Sequence, residues 1–255
     1  MAQDESCLKG RVALVTGAGT GIGRAIALKL SRAGAFVGIH FHTSHEAAHA
    51  TLAEIRQAGG DGVTLRADLA DATQASELVG SLVAQTKRLD ILINNAGTPI
   101  QRQRIEDCPL ELWHAALATN LTGAFLVIQK AIPHLRASGN GAIVNNLTLS
   151  IQTGGANGAG PYAVAKGGLQ VLTRTLAREL APAVRTNAIM PGVIQTRHHE
   201  VFSTADRMEA YRRETPLGRN GAAEEVASAV LFLASDASRF MNGALLDING
   251  GRFLR

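Results

Sequence analysis

The sequence predicts an α/β fold, a parallel sheet with helices on both faces, and two observations carry that expectation. Short apolar runs alternate with amphipathic stretches from one end of the chain to the other, as expected of strands covered on both faces and joined by crossover helices. A glycine-rich turn follows the first run at residues 17–23, where a strand hands over to a helix. The length agrees: 255 residues suffice for one large α/β domain, and no linker divides residues 1–255.

Strands are expected at 12–15, 36–41, 62–67, 91–93, 142–147, 186–189 and 245–248, each short and nearly continuously apolar. Helices are expected between them at 22–32, 46–58, 73–86, 110–137, 162–180 and 224–234, with right-handed crossovers. The stretch 110–137 is long enough for two helices that meet near residues 118–120. The glycine-rich patch at 153–160 lies between periodic segments and reads as a functional loop.

Composition narrows the function. The formal net charge is +4 and the pI about 9.4, which raises nucleic acid as a partner. Arg207, Arg212, Arg213 and Arg219 cluster, but Asp206, Glu209 and Glu214 are interleaved with them, the mark of a solvated helical face. One Trp, two Tyr and seven Phe offer little for base stacking. No run of about 18 residues is apolar and free of charge, so no membrane span is expected. The first ten residues carry Asp4, Glu5 and Lys9 without an apolar stretch, unlike a secretory leader. Cys7 and Cys108 suit free thiols in a reducing cytoplasm.

Chemistry concentrates in two places. At 16–23 the spacing is Thr-Gly-x-x-x-Gly-x-Gly rather than Gly-x-Gly-x-x-Gly, since counting from Gly17 puts Ile22 in the last glycine position. Gly17, Gly19, Gly21 and Gly23 let the backbone turn tightly and approach a pyrophosphate at the helix N-terminus. Far downstream, Tyr162 and Lys166 stand four apart on a helix, hence on one face and about 6 Å apart along its axis. An ammonium beside a phenol favours the phenolate, so Tyr162 is expected to exchange protons nearer neutral pH. A phosphate-cradling turn with such a pair implies a nucleotide cofactor and a proton donor in one pocket.

Other residues carry two readings each. Asp68 closes a strand, either as an acceptor for an adenine amine or as a helix cap. Asn94 is expected to bond across strands, while Gly97 lets the chain pass close to a cofactor. Asn120 falls mid-helix, where its amide competes for backbone hydrogen bonds. His40, His42, His45 and His49 crowd one strand end and the next helix. His45 and His49 have the spacing of a metal pair, but no further ligand completes a site, so the cluster reads as flanking the cofactor's ribose end and no metal is expected.

In joint order, Thr16–Gly23, Asp68-Leu69, Asn94–Gly97, Asn120, Tyr162/Lys166, Pro191-Gly192 and the tail at 245–251 resemble the short-chain dehydrogenase/reductase family over nearly the whole chain. The similarity is to its single-domain branch, which includes the 3-oxoacyl-carrier-protein reductases. The resemblance implies a doubly wound, seven-stranded, Rossmann-like parallel sheet with helices on both faces, a substrate loop at about 197–217 opened by His198 and His199, and a cytoplasmic homotetramer. It implies hydride transfer between a nicotinamide cofactor and a small carbonyl or secondary alcohol. The alternatives are a sugar or polyol dehydrogenase, or a nucleotide-binding regulatory protein that has lost the chemistry; Asn120, Tyr162 and Lys166 together favour the enzyme. Cofactor contacts are implied at Gly17, Gly19, Thr20, Gly21, Ile22, Gly23, His42, Thr43, Asp68, Leu69, Asn94, Ala96, Gly97, Tyr162, Lys166, Pro191, Gly192, Val193 and Thr196. The catalytic set implied is Asn120, through a water that relays protons to Lys166, with Tyr162 and a hydroxyl after the fifth strand.

Two assignments need local argument. No acid occurs between Arg24 and His45, and Phe41 stands where the family's NAD users carry one. Arg24, His42, Thr43 and Ser44 are potential donors to a 2′-phosphate, so NADP(H) is favoured over NAD(H). The family's serine lies thirteen residues before the tyrosine, which here is Leu149, a residue unable to donate. Residues 143–148 resemble Ile-Val-Asn-x-Ser-Ser and put Thr148 in the serine position; Ser150 is the rival and would share its face if the strand continued.

Overall fold

The computed structural model describes residues 7–155, 158–196 and 204–254. Within them seven strands form one parallel sheet in the order β3-β2-β1-β4-β5-β6-β7, with β1 Val12–Val15, β2 Phe36–Phe41, β3 Gly62–Arg66, β4 Ile91–Asn94, β5 Gly141–Asn146, β6 Val184–Pro191 and β7 Leu245–Ile248. Strand and helix ends fall within two residues of the sequence expectation. β1, β4 and β5 are buried along their whole length, which is why they read as apolar runs broken only by Asn94, Asn145 and Asn146 at the C-terminal ends of β4 and β5.

Helices α1 Gly21–Arg32, α2 His45–Gln57, α3 Ala72–Thr86, α4 Leu110–Leu117, α5 Gly123–Ala137, α6 Ser150–Thr153, α7 Gly160–Glu179, α8 Ala205–Glu214 and α9 Ala223–Ala234 cover the sheet. Two apolar clusters result. One face holds Ile26, Leu30, Ile55, Val226 and Val230 against Val15, Val37 and Ile39; the other holds Leu78, Leu82, Val127, Leu135, Leu169 and Leu176 against Leu14, Leu92 and Ile143. This two-sided burial is the principal stabilisation of a doubly wound sheet.

The strand order reverses between β1 and β4, so the C-terminal ends of these strands open a crevice, the usual ligand position in open α/β sheets. The stretch 110–137 is two helices, as its length implied, and they meet in a π-helical turn at Ala118–Thr122 that carries Asn120. By length and composition this 28-residue span is apolar enough to cross a membrane, but Val127, Ile128, Ala131 and Leu135 on it belong to the sheet-covering core. The strand before the expected catalytic hydroxyl stops at Asn146, so Thr148 and Ser150 do not share a strand face; Ser150 instead opens α6. His198 and His199, at the start of the expected substrate loop, lie outside the described residues, and the later part of that loop is α8.

Candidate active site

The glycine turn joins β1 to α1. Gly21 takes φ +54°, and a Cβ on Gly23 would sit 2.1 Å from the Gly17 carbonyl oxygen, so neither position admits a side chain without rebuilding the turn. α1 begins behind Thr20 with no side-chain cap and no acid in its first turn. Its first amides therefore remain available to an anion at the crevice, and the turn fits a pyrophosphate. Thr196 closes the far side, its Cβ 3.3 Å from where a Gly21 Cβ would stand.

Three side chains fix this turn from beneath. Thr16 Oγ1 accepts from the Asn95 and Ala96 amides at 2.9 and 3.0 Å. Asn95 Nδ2 donates to the carbonyls of Thr16 and Gly17 at 2.9 and 3.2 Å, and Asn95 Oδ1 accepts from Asn146 Nδ2 at 2.9 Å. The Gly17 N–H donates to His40 Nδ1 at 3.0 Å, and His40 Nε2 lies 3.0 Å from the Ala67 carbonyl. The Nδ1 atom must accept and Nε2 must donate, which requires the neutral ring. Burial, only partly offset by the bond to Ala67, lowers the His40 pKa from 6.5 to about 4. Sequence reasoning placed His40 in a group flanking the ribose; it is instead the brace that ties β2 and β3 to the turn. His45 and His49 stack at 4.3 Å beside Phe41, and His42 Nε2 lies 3.8 Å from Asp68.

The residues expected to handle protons lie beyond the end of β4. Lys166 is 1% exposed, and its Nζ donates to the Asn146 carbonyl at 2.8 Å and the Ala96 carbonyl at 3.4 Å. A Cβ on Gly97 would stand 3.0 Å from Lys166 Nζ and 2.9 Å from Asn120 Oδ1, so glycine there lets the strand end pack on both. Asn120 is wholly buried. Its Oδ1 accepts from the Thr98 amide and its Nδ2 donates to the carbonyls of Thr98 and Ala116, all at 2.9 Å. The carboxamide is thus committed to clamping the loop after β4 onto the π-turn.

Tyr162 is half-buried, and the Thr148 hydroxyl bonds its phenol. The Ser150 amide donates to Thr148 Oγ1 at 3.2 Å. Burial pushes the Tyr162 pKa up to about 12, with the Thr148 bond acting the other way, and lowers that of Lys166 to about 8. This runs against the expectation that Lys166 brings the phenol toward neutrality: in the protein alone, loss of hydration outweighs the bond from Thr148. Asn94 does bond across strands, Nδ2 to Asn145 Oδ1 at 2.9 Å, and Asn145 Nδ2 continues to Thr173 Oγ1 at 2.9 Å on α7.

The remaining expected positions divide. Pro191 ends β6 and the Gly192 amide bonds the Ile248 carbonyl at 2.9 Å, which puts Val193 at the crevice edge. Beside Val193 a hollow of about 380 Å³ runs toward Leu217, Asn249 and Phe253, away from Tyr162. Leu69 is buried in the core, leaving its backbone as the part able to reach a ligand. Asp68 accepts from the Ala70 amide, but the cap of α3 is Asp71, which accepts from Thr73 and Gln74. Thr43 is exposed and Ser44 lies against the turn, its Oγ 2.7 Å from a Gly19 Cβ position. The Arg24 guanidinium is bound by Glu54 of α2, an acid that competes with a phosphate for it.

Comparison with known proteins agrees with this geometry. A family model described as enoyl-(acyl carrier protein) reductase matches residues 17–252. A 3-oxoacyl-(acyl-carrier-protein) reductase of Staphylococcus aureus is 36% identical over 247 residues, 95% of this chain and 98% of that protein. A 7 alpha-hydroxysteroid dehydrogenase complexed with NADH and 7-oxo glycochenodeoxycholic acid is 30% identical with a TM-score of 0.91, over 98% of both chains. An NADH-dependent reductase responsible for alginate metabolism is 33% identical with a TM-score of 0.89, over 98% of this chain and 100% of that one.

The neutral His40 brace has a pH signature. The unfolded ring takes up a proton near pH 6.5 and the folded ring only near 4. Stability is therefore complete above pH 6.5 and falls as pH drops toward 4, by up to about 3 kcal/mol. Urea unfolding at pH 7 and 4.5 should show this loss in the parent and not in His40→Gln; parallel pH dependences would contradict the assignment.

Proposed function

The chain belongs to the short-chain dehydrogenase/reductase family, and we propose that it is an NADP(H)-preferring carbonyl reductase, of the 3-oxoacyl type, with Tyr162 as its proton donor. It interconverts a carbonyl and a secondary alcohol. The observation that carries the roles is the convergence of Thr148 on the Tyr162 phenol, with Lys166 buried one helical turn away.

When bound, the nicotinamide cofactor donates or accepts the hydride. Thr148 and Tyr162 hold the substrate oxygen, and Tyr162 supplies the proton in reduction and removes it in oxidation. A phenol pushed up to about 12 stays protonated at neutral pH, the state reduction needs. Lys166 bonds the nicotinamide ribose and, as an ammonium, makes the phenolate less costly once Tyr162 has given up its proton. Because both Asn120 amide hydrogens are used and its oxygen already accepts from Thr98, we assign its part in a relay to Lys166 to its backbone carbonyl in the π-turn, a distortion frequent at functional sites. The glycine turn, Ala96, Gly97 and the 191–196 segment hold the cofactor.

Phe41 at the end of β2, buried against His45, offers no acid to a ribose hydroxyl, which supports NADP(H) with His42 and Thr43 near its phosphate. NAD(H) is the second reading, favoured by two similar solved structures, the NADH-dependent reductase and the hydroxysteroid dehydrogenase complexed with NADH. A small-molecule substrate, a cytoplasmic location and a homotetramer complete the proposal, without nucleic acid, membrane or metal. Exposed Phe125, Val164 and Val171 on α5 and α7 support self-association.

Steady-state kinetics on a panel of carbonyl substrates test this directly. Tyr162→Phe should lower turnover by about 10²–10⁴-fold, and Thr148→Val by about 10²-fold, while Thr148→Ser and Ser150→Ala stay active. More than a tenth of parental turnover in Tyr162→Phe, or an active Thr148→Val beside an inactive Ser150→Ala, would contradict the roles. For the cofactor, kcat/KM should be higher with NADPH than with NADH; the reverse order sinks the preference.

A further inference from the structure

The arginines of α8 do not all behave as a solvated face. Arg212 and Arg213 both bond Glu209, at 2.7 and 3.1 Å, and Arg219 bonds Glu225 at 2.6 Å. Arg207 differs: its Nε donates to the Tyr211 hydroxyl at 2.5 Å and its guanidinium stands 5.5 Å from that ring. Arg252 stacks on the same ring at 4.4 Å and takes the adjacent acid, Glu214. A third arginine, Arg102, comes from the loop after β4. Burial, then the charge of Arg207, hold its pKa below the ordinary value, with Tyr211 acting oppositely. Arg102 Nε is buried and has no hydrogen-bond partner.

Among the described residues neither Arg102 nor Arg207 pairs with a carboxylate, although both are half-buried. Two guanidiniums whose charges act on each other, with no acid of the described residues beside them, repel, and Tyr211 is the group that partly offsets the cost. The Arg102 loop also borders the carbonyl site. Gln103, next to Arg102, donates its amide to the Gly158 carbonyl at 2.9 Å, two residues before α7 begins and four before Tyr162. Five residues earlier is Gly97, packed on Lys166. The Arg102 loop thus runs between the two loops that carry the proton chemistry, and Arg207 and Tyr211 of α8 lie near enough for their charges to act on Arg102.

We propose that Arg102 and Arg207 form an anion-binding subsite at the mouth of the cleft, and that the substrate is an oxo compound bearing a carboxylate or phosphate group. Planar guanidiniums with several donors each suit the paired oxygens of such a group. The anion offsets the repulsion between the two arginines and orients the carbonyl toward Tyr162 and Thr148. The substrate class rests on the oxidoreductase reading above; the subsite itself does not.

Calorimetric binding of 2-, 3- and 4-oxo acids, each beside its methyl ester, to the cofactor-loaded protein separates the two. The parent should bind at least one acid about 10- to 100-fold more tightly than its ester, the scale of losing one charged hydrogen bond set. Arg102→Gln and Arg207→Gln should erase that preference without changing ester binding, and Arg207→Lys should restore part of it. Preference for a phosphopantetheine thioester over its phosphate-free analogue, lost in the same variants, would assign the anion to phosphate. No preference for any charged member in the parent, or one unaltered in both glutamine variants, overturns the subsite. Turnover on the same samples reads the chemistry separately: a protein that prefers the acid but reduces neither compound keeps the subsite and fails as a reductase.

Discussion

The hydrogen bonds of Asn95 are the constraint on which the rest of the site depends. One carboxamide donates to two carbonyls of the glycine turn and accepts from Asn146, while the Asn146 carbonyl receives the Lys166 ammonium. The ends of β1, β4 and β5 and the middle of α7 are thereby joined in one chain at the point where strand order reverses. Each link is short and buried or half-buried, and removing one leaves donors and carbonyls without partners, which costs more than the bond itself is worth. Gly23 is part of the same constraint, because a Cβ there would lie 2.5 Å from Asn95 Nδ2.

Charge is arranged around that scaffold by burial. His40 is kept neutral so that it can accept from the turn. Lys166 is kept dry and held by carbonyls, which fixes its position even as its proton affinity falls. Tyr162, half-buried beside Thr148, remains a proton-bearing phenol. Toward the cleft mouth the pattern changes, since Arg102 and Arg207 carry charge that no acid of the described residues meets.

Much of this was legible in the sequence because it is periodic or locally strained. Seven apolar runs and a glycine turn specify a two-sided sheet, and Asn120 in a long apolar helix marks the place where that helix breaks. Anchoring on the strand rather than on the distance to Tyr162 picks out Thr148, the residue whose hydroxyl bonds the phenol. What stayed hidden were contacts between residues far apart in the chain. Asn95 reads as one more member of a strand-end motif, and Thr16 and Asn146 as ordinary polar residues, until β1, β4 and β5 lie side by side. His40 looks like part of a histidine cluster, although only its position on β2 aims it at Gly17. The upward direction of the Tyr162 shift is hidden for the same reason: helix spacing places a charge on the same face, but burial is a property of the whole fold.

The central claim is that the glycine turn and Lys166 are one mechanical unit through Asn95. Measuring the NADPH dissociation constant together with single-turnover hydride transfer in Asn95→Ala, checked for folding by circular dichroism, tests it most directly. The account predicts that a folded variant loses both, by about tenfold or more each, the scale of an unsatisfied buried hydrogen bond set. A folded variant that binds NADPH as the parent does, or that binds weakly but transfers hydride at the parental rate once saturated, would contradict it.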